Sequence, residues 1–441
     1  MIAAILHLVA FKAAPTLSFN ALPIQTRGSS SRLLQNTISE SIPIPNFPSL
    51  LENSNRLDDV RLSGLGGLAL VEKEFPTKLE ALAVIPSECF EISEVESMKC
   101  LLTSLTLTSI CAFIGATSIP MTFGSVPLWI IYALVTGTVA MGNWVLAHEC
   151  GHGSFSNSRK FQDALGFVLH SALLVPYFSW KRSHAVHHAF TNHIEDGETH
   201  VPSRIARDAF GALKLKILME KTFGQTVGEN LMGMFQLAAH LLIGWPAYLI
   251  IGSTGGPSRG TTNHFVPTSD KLFPGKWKGR VWLSSIGVLA TFTALACWAF
   301  HDGIWRVSAL YLGPYIVVNA WLVIYTWLQH TNSDVPHFDS DNFSFVKGAF
   351  HSIDRPYGKV IDFLHHRIGS THVAHHLDSS IPHYNAIKAT DALKSKFPEH
   401  YLYDPTPVPL ALWRVAKSCL EVEKRESMWL FVQKPLEKAN I

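Results

Sequence analysis

Charge is what this sequence has least of. Of 441 residues only 16% are Asp, Glu, Lys or Arg, while 47% are hydrophobic, against roughly 25% charged in a typical soluble domain. With mean hydropathy above zero, this excludes an ordinary soluble protein and points to a membrane protein. Acidic residues are missing before Glu40, and no charged residue occurs from Cys100 to Ala147. That run is long enough for two spans of about 20 residues each. The net charge of +2 comes without a basic stripe, so no nucleic-acid partner is expected. The six cysteines, at 89, 100, 111, 150, 297 and 419, form no C-x-x-C and no close pair, which excludes a disulfide framework. Internal repeats, heptad arrays and low-complexity tracts are also lacking.

What the chain does have is histidine in a pattern. His148-Glu149-Cys150-Gly151-His152 stands where the uncharged run ends, and two copies of H-x-x-H-H follow, His184 to His188 and His372 to His376. On a helix, residues three and four apart share a face, so each box aims its imidazoles at one side. The adjacent histidines, His187 with His188 and His375 with His376, lie about 100° apart around a helix, so one box can serve two neighbouring ions. Eight such nitrogens exceed the four of a tetrahedral zinc site. Cys150 inside the first box reads as a small buried side chain.

If the three boxes meet at one centre, they lie on one side of the membrane, and parity then fixes the topology. Leu101 to Ala147 makes a hairpin turning at Ser118-Ile119-Pro120. Leu165 to Trp180 is too short to cross and is placed in the interface. Of the three later apolar runs, Val281 to Phe300 and Val307 to Gln329 form the second hairpin, joined by the link His301 to Arg306. Leu231 to Ile251, broken by Gly244 and Pro246, is left interfacial or re-entrant. The expected fold is thus all-α and integral to the membrane: four transmembrane helices, interfacial helices, and a metal-binding domain on the cytosolic or stromal side. Basic residues agree, because Arg159, Lys160, Lys181, Arg182, Lys271, Lys276, Lys278 and Arg280 fall on the box side and only Arg306 at the hairpin tips.

The first box matches H-E-x-x-H, the zinc protease signature with Glu as general base. That reading leaves two clusters without work, whereas a redox-active ion pair uses them all. A metal transporter would carry ionisable groups within its spans, and the first hairpin has none. The sequence resembles the membrane fatty acid desaturase family, most closely the plant-type oleate (delta-12, omega-6) acyl-lipid desaturases. The resemblance rests on the three boxes and on Ile85-Pro86-Ser87-Glu88-Cys89-Phe90, Val175-Pro176-Tyr177-Phe178-Ser179-Trp180-Lys181, Thr371-His372-Val373-Ala374-His375-His376-Leu377 and Ile381-Pro382-His383-Tyr384. It spans roughly Lys78 to Lys434.

What the resemblance implies is a di-iron centre that, with dioxygen and two electrons, inserts a cis double bond into an acyl chain of a membrane lipid. The catalytic candidates are then His148, His152, His184, His187, His188, His372, His375 and His376. The family usually adds one more ligand at the end of the fourth span, where His330 stands. Glu149 is expected to bond a ligand imidazole rather than a metal, and His170, His240, His301, His365, His366 and His383 are expected to be structural or solvated. Gly153 and Ser154 after the first box, and Ala189-Phe190-Thr191-Asn192 after the second, depart from the family text and bear on regiospecificity. An omega-3 desaturase or a hydroxylase is the alternative on the same scaffold.

No His-Pro-Gly-Gly type haem-binding signature is present, so the electron donor is expected to be a separate protein: ferredoxin in a plastid, a microsomal cytochrome b in the endoplasmic reticulum. The expected organisation is a targeting presequence over 1–45, a polar lead-in over 46–98, the desaturase domain over 99–434 and a tail over 435–441. Ala10-Phe11-Lys12-Ala13-Ala14-Pro15 resembles the two-part presequences of algae with secondary plastids, which favours a plastid membrane, with the endoplasmic reticulum as alternative. The chain does not end in a Lys-Asp-Glu-Leu type signal.

Overall fold

The computed structural model describes residues 74–205 and 211–432. The presequence, the first part of the lead-in and the tail lie outside them. After a short helix α1 (Lys78–Ala83), the first hairpin pairs α2 (Glu94–Ser118) with α3 (Val126–His152). The cap of α2 is Ser93, whose side chain accepts from Glu96 N, with Glu94 and Glu96 in the first turn opposing the helix dipole. The outer faces of this pair stay apolar and exposed, as at Ile110, Phe113, Ile130, Ile131 and Leu134. In water such a surface would drive association; in a bilayer it is the wall that meets lipid. The inner seam is small and polar. Thr108 Oγ1 accepts from Asn143 Nδ2 at 2.8 Å, and a Cβ at Gly115 would collide with the Tyr132 ring. Small residues and cross-helix hydrogen bonds are what hold helices together where lipid removes the hydrophobic drive.

Two helices, α4 (Arg159–Ala172) and α5 (Tyr177–Ala189), connect the first two boxes. After α6 (Ala212–Phe223) comes the run expected to be broken. It is instead continuous: α7 (Gln225–Ala238), a π-helical turn over Ala239–Gly244, then α8 (Trp245–Ile251). The wide turn takes up the residue whose backbone N–H is missing at Pro246, so a proline that would break an α-helix is accommodated. The second hairpin repeats the device. Its first helix is α9 (Trp277–Asp302), and its second runs from α10 (Ile304–Val307) through a π turn, Ser308–Leu312, to α11 (Gly313–His330), with Pro314 just after the turn. The link between the two is a single residue, Gly303, at φ +89°.

Among the described residues, five helical stretches are therefore long and apolar enough to cross a membrane. The α7–α8 stretch has both ends on the histidine side, however. In the first turns of α7 Glu229 Oε2 lies 4.0 Å from Lys417 Nζ of the C-terminal helix, and beyond α8 Gly256 N donates to Gly197 O at 2.9 Å, close after the second box. Two crossing hairpins with this helix lying along the interface satisfy that geometry.

The cap over the hairpins holds α12 (Phe345–Phe350), α13 (Lys359–Leu364), α14 (His372–Leu377), α15 (Ala386–Lys396) and α16 (Val408–Ser418). It also holds a small sheet that the all-α expectation did not include, in the order β1-β3-β4-β2. Strands β3 (Glu421–Arg425) and β4 (Met428–Phe431) form an antiparallel hairpin. It pairs in parallel with β1 (Ser203–Arg204) and antiparallel with β2 (His337–Phe338). The sheet thereby fastens the C-terminal segment to the loops that follow the second box and His330.

Candidate metal centre

The first box occupies the last turn of α3, which ends at Gly153 in the left-handed region, φ +87°. That terminus lets Ser154 fold back, and its Oγ donates to Glu149 Oε2 at 2.9 Å. The second box lies on α5, whose Trp180 ring stacks on His184 at 4.6 Å. The third is the whole of α14, buried throughout. This helix is too short to be stable by itself, and its start is held from a distance: Asp354 Oδ1 accepts from the backbone of His372 and, at 3.1 Å, of Val373.

These elements bring all nine expected histidines together in two groups. His148, His152, His184, His188 and His375 present ring nitrogens within 4.8 Å of one another, and so do His187, His330 and His376. His372 joins the second group, its Nε2 being 3.0 Å from His330 Nε2. Within the first group His148 Nε2 lies 3.1 Å from His152 Nε2 and 3.0 Å from His184 Nε2. In the second, His187 Nε2 is 3.1 Å from His330 Nε2. The adjacent histidines divide between the groups, His188 and His375 in one, His187 and His376 in the other. Stacking of His188 on His376 at 4.2 Å joins them.

The donor set fits metal ions. Burial, reinforced by neighbouring imidazoles, holds His184, His188, His372 and His376 well below the ordinary histidine range. Burial likewise lowers His187 to about 4 and His375 to about 3. These rings are neutral near pH 7, with lone pairs available. Three rings have their other nitrogen engaged. His187 Nδ1 donates to Glu198 O at 2.6 Å. His376 Nδ1 donates to Thr191 Oγ1 at 3.0 Å, while that hydroxyl donates to His187 O. His148 Nδ1 lies 3.2 Å from Glu149 Oε1. Each contact turns Nε2, without its proton, toward the cluster. Among the orphaned buried atoms are His375 Nε2 and His376 Nε2, which a cation would satisfy.

Glu149 is 2% exposed, and both oxygens are occupied, Oε2 also accepting from His383 N at 3.1 Å. It is therefore not placed to activate water, which removes the protease reading. Glu149→Gln should lower activity by about 10–100-fold while the protein still folds, since an amide cannot accept from all of these donors. Product formation per bound metal measures it; unchanged turnover would show that Glu149 does not position His148.

Other histidines separate as follows. His170 is fully buried, packed against Trp144 and Trp180. His301 is exposed, His240 stacks on Trp327, and His365 Nε2 donates to Thr138 O at 2.7 Å while its Nδ1 accepts from the Tyr325 hydroxyl at 2.7 Å. Glu198 and Asp354 belong to no motif, though Glu198 stands in an acidic run after the second box; Thr191, expected within Ala189 to Asn192 to bear on regiospecificity, instead supports a ring.

Beside the second box a cavity of about 50 Å³ is walled by residues including Trp144, Trp180, His184, His187, Tyr248 and Val323. It shares His200, His240, Gly244 and Thr254 with an outer pocket of about 380 Å³. The π turn of the α7–α8 stretch thus lines both cavities, through His240 and Gly244. A larger cavity, about 840 Å³, lies at the hairpin tips around Trp129 and Trp305, away from this chemistry.

Fold and site together define a helical membrane protein whose clustered histidines can hold metal ions beside a small, mainly apolar cavity. The chain belongs to the fatty acid desaturase family, whose model matches residues 126–406. It is 37% identical over 345 residues to a Delta(12)-fatty-acid desaturase of Arabidopsis thaliana, covering 77% of this chain and 85% of that protein. It is equally similar, 37% over 367 residues, to a Delta(12) fatty acid desaturase of Mortierella alpina, with 81% and 90% covered. An omega-6 fatty acid desaturase of the endoplasmic reticulum of Brassica juncea is 36% identical, with 78% and 87% covered.

Proposed function

We propose that this protein is an acyl-lipid delta-12 (omega-6) desaturase that converts an oleoyl chain to a linoleoyl chain. In this reading two iron ions are held by His148, His152, His184, His188 and His375 on one side and His187, His330, His372 and His376 on the other. The observation that carries it is the division of adjacent histidines between two imidazole groups that end an apolar cavity. When bound and reduced, the ions supply the activation of dioxygen that breaking unactivated C–H bonds requires. The balance is closed: two electrons and two protons from an external donor, with two hydrogens from neighbouring methylenes, reduce dioxygen to two waters and leave an alkene.

The protein's own contribution is positional. Glu149, Thr191 and the Glu198 carbonyl hold three rings in the required tautomer, and Trp144, Trp180 and Tyr248 exclude water from the acyl chain. Methylenes offer no hydrogen bonds, so cavity shape selects the bond, at only about 1–3 kcal/mol per methylene. Expressed in a yeast that makes oleate but little polyunsaturated fat, the protein should produce linoleate-type dienes in membrane lipid. Hydroxy acids, or trienes formed from supplied linoleate, would overturn delta-12 insertion in favour of the hydroxylase or omega-3 reading.

The domain is proposed to extend over 99–434. Residues 1–45 are proposed to address the protein to a plastid membrane, with ferredoxin as donor. A fluorescent fusion of Met1 to Ser39 is then expected in plastids; delivery to the endoplasmic reticulum would replace this with the microsomal reading and a cytochrome b donor.

A further inference from the structure

A third set of ligating side chains meets away from the two imidazole groups. Cys100 of α2, His366 just past α13 and His383 beyond α14 present their sulfur and ring nitrogens within 4.8 Å of one another. The two rings are 4.9 Å apart; His366 is buried and the His383 side chain is 9% exposed. His366 is held by Ser104, whose Oγ lies 2.9 Å from its Nε2. His383 Nε2 is buried with no hydrogen-bond partner, while its Nδ1 faces Glu149 Oε2 at 3.6 Å. A carboxylate behind one ring nitrogen and an unsatisfied second nitrogen is how metal-binding imidazoles are oriented. One thiolate with two imidazoles is a nitrogen–sulfur donor set suited to zinc and similar ions, with a fourth position for water.

We propose that Cys100, His366 and His383 form a separate, mononuclear site for a zinc-class cation. The cation ties the start of the first span to the loops on both sides of the third box. Through Glu149 it also adjoins His148, so its charge bears on the first imidazole group. None of the nine clustered histidines is used, and the site holds the sulfur that they lack.

That difference supplies the test. Cobalt(II) added to the purified full chain in detergent should produce a thiolate-to-cobalt charge-transfer band in the near ultraviolet, which zinc competes away. The band should be lost in Cys100→Ser and His383→Gln and kept in Cys150→Ala and His188→Ala. Absence of the band in the unsubstituted protein, or its survival in Cys100→Ser, overturns the site. A second measurement needs no substitution: zinc should protect Cys100, but not the exposed Cys297, from alkylation followed by peptide mass spectrometry. Equal labelling of Cys100 with and without zinc also overturns it. Failure of either kind leaves the two-ion reading untouched, because that centre has no thiolate to report.

Discussion

Alanine at His184, His188 or His376 should reduce desaturated product by more than about 100-fold, beyond what loss of a supporting partner of a metal ligand costs. The three positions sample both groups, His184 and His188 in the first and His376 in the second. Each removes a neutral ring whose nitrogen faces others of its group, at 3.2 Å between His188 and His184 and within 4.8 Å for His376. His184 and His188 are only partly buried, so their truncation removes little packing, and the amount of protein in the membrane should hold. Metal content separates the cases. His188→Ala should deplete one ion of the pair and His376→Ala the other, whereas either variant retaining full activity would strike that residue from the site.

Asp404→Ala should destabilise the folded protein by about 3–5 kcal/mol, the usual result of stranding one member of a buried ion pair. Arg355 and Asp404 form such a pair with both side chains 0% exposed. Arg355 Nε also donates to Leu328 O at 3.1 Å, two residues before His330. Its backbone neighbour Asp354 caps the third box, so the pair fixes α14 against the end of α11. The partly exposed Arg414 tolerates loss of Asp404, but Arg355 is left charged and dry. A detergent thermal-shift assay measures the effect, and Arg355→Met combined with Asp404→Leu should recover much of it; an Asp404→Ala protein as stable as its parent would refute the argument. Burial works to raise the Asp404 carboxyl, yet Arg355 prevails and it stays below the ordinary value. Its contribution is therefore intact at neutral pH and fades only as pH falls below the ordinary aspartate value of about 3.9.

Local signals carried much of this protein. The uncharged run from Cys100, the hairpin turn near Pro120 and the three histidine boxes are contiguous in sequence, and 3.6-residue periodicity converts each into a face. Gly244 and Pro246 misled, because a π turn admits a proline and the helix continues through it. The sheet gave no readable pattern. Its strands run from two to five residues, and Glu421 to Arg425 is mostly charged, so pairing with distant loops, not propensity, makes them strands.

The sequence by itself determined that the chain is a membrane protein and that its histidines come in helical sets of two and three, since hydropathy and spacing are properties of short stretches. Only the tertiary structure decided which imidazole faces which. The meeting of His188 with His375 and of His187 with His330 and His376, the support from the Glu198 carbonyl and Asp354, and the meeting of Cys100 with His366 and His383 join residues apart in the chain. Such pairings follow from how packed helices turn their side chains in space, and no local pattern encodes them.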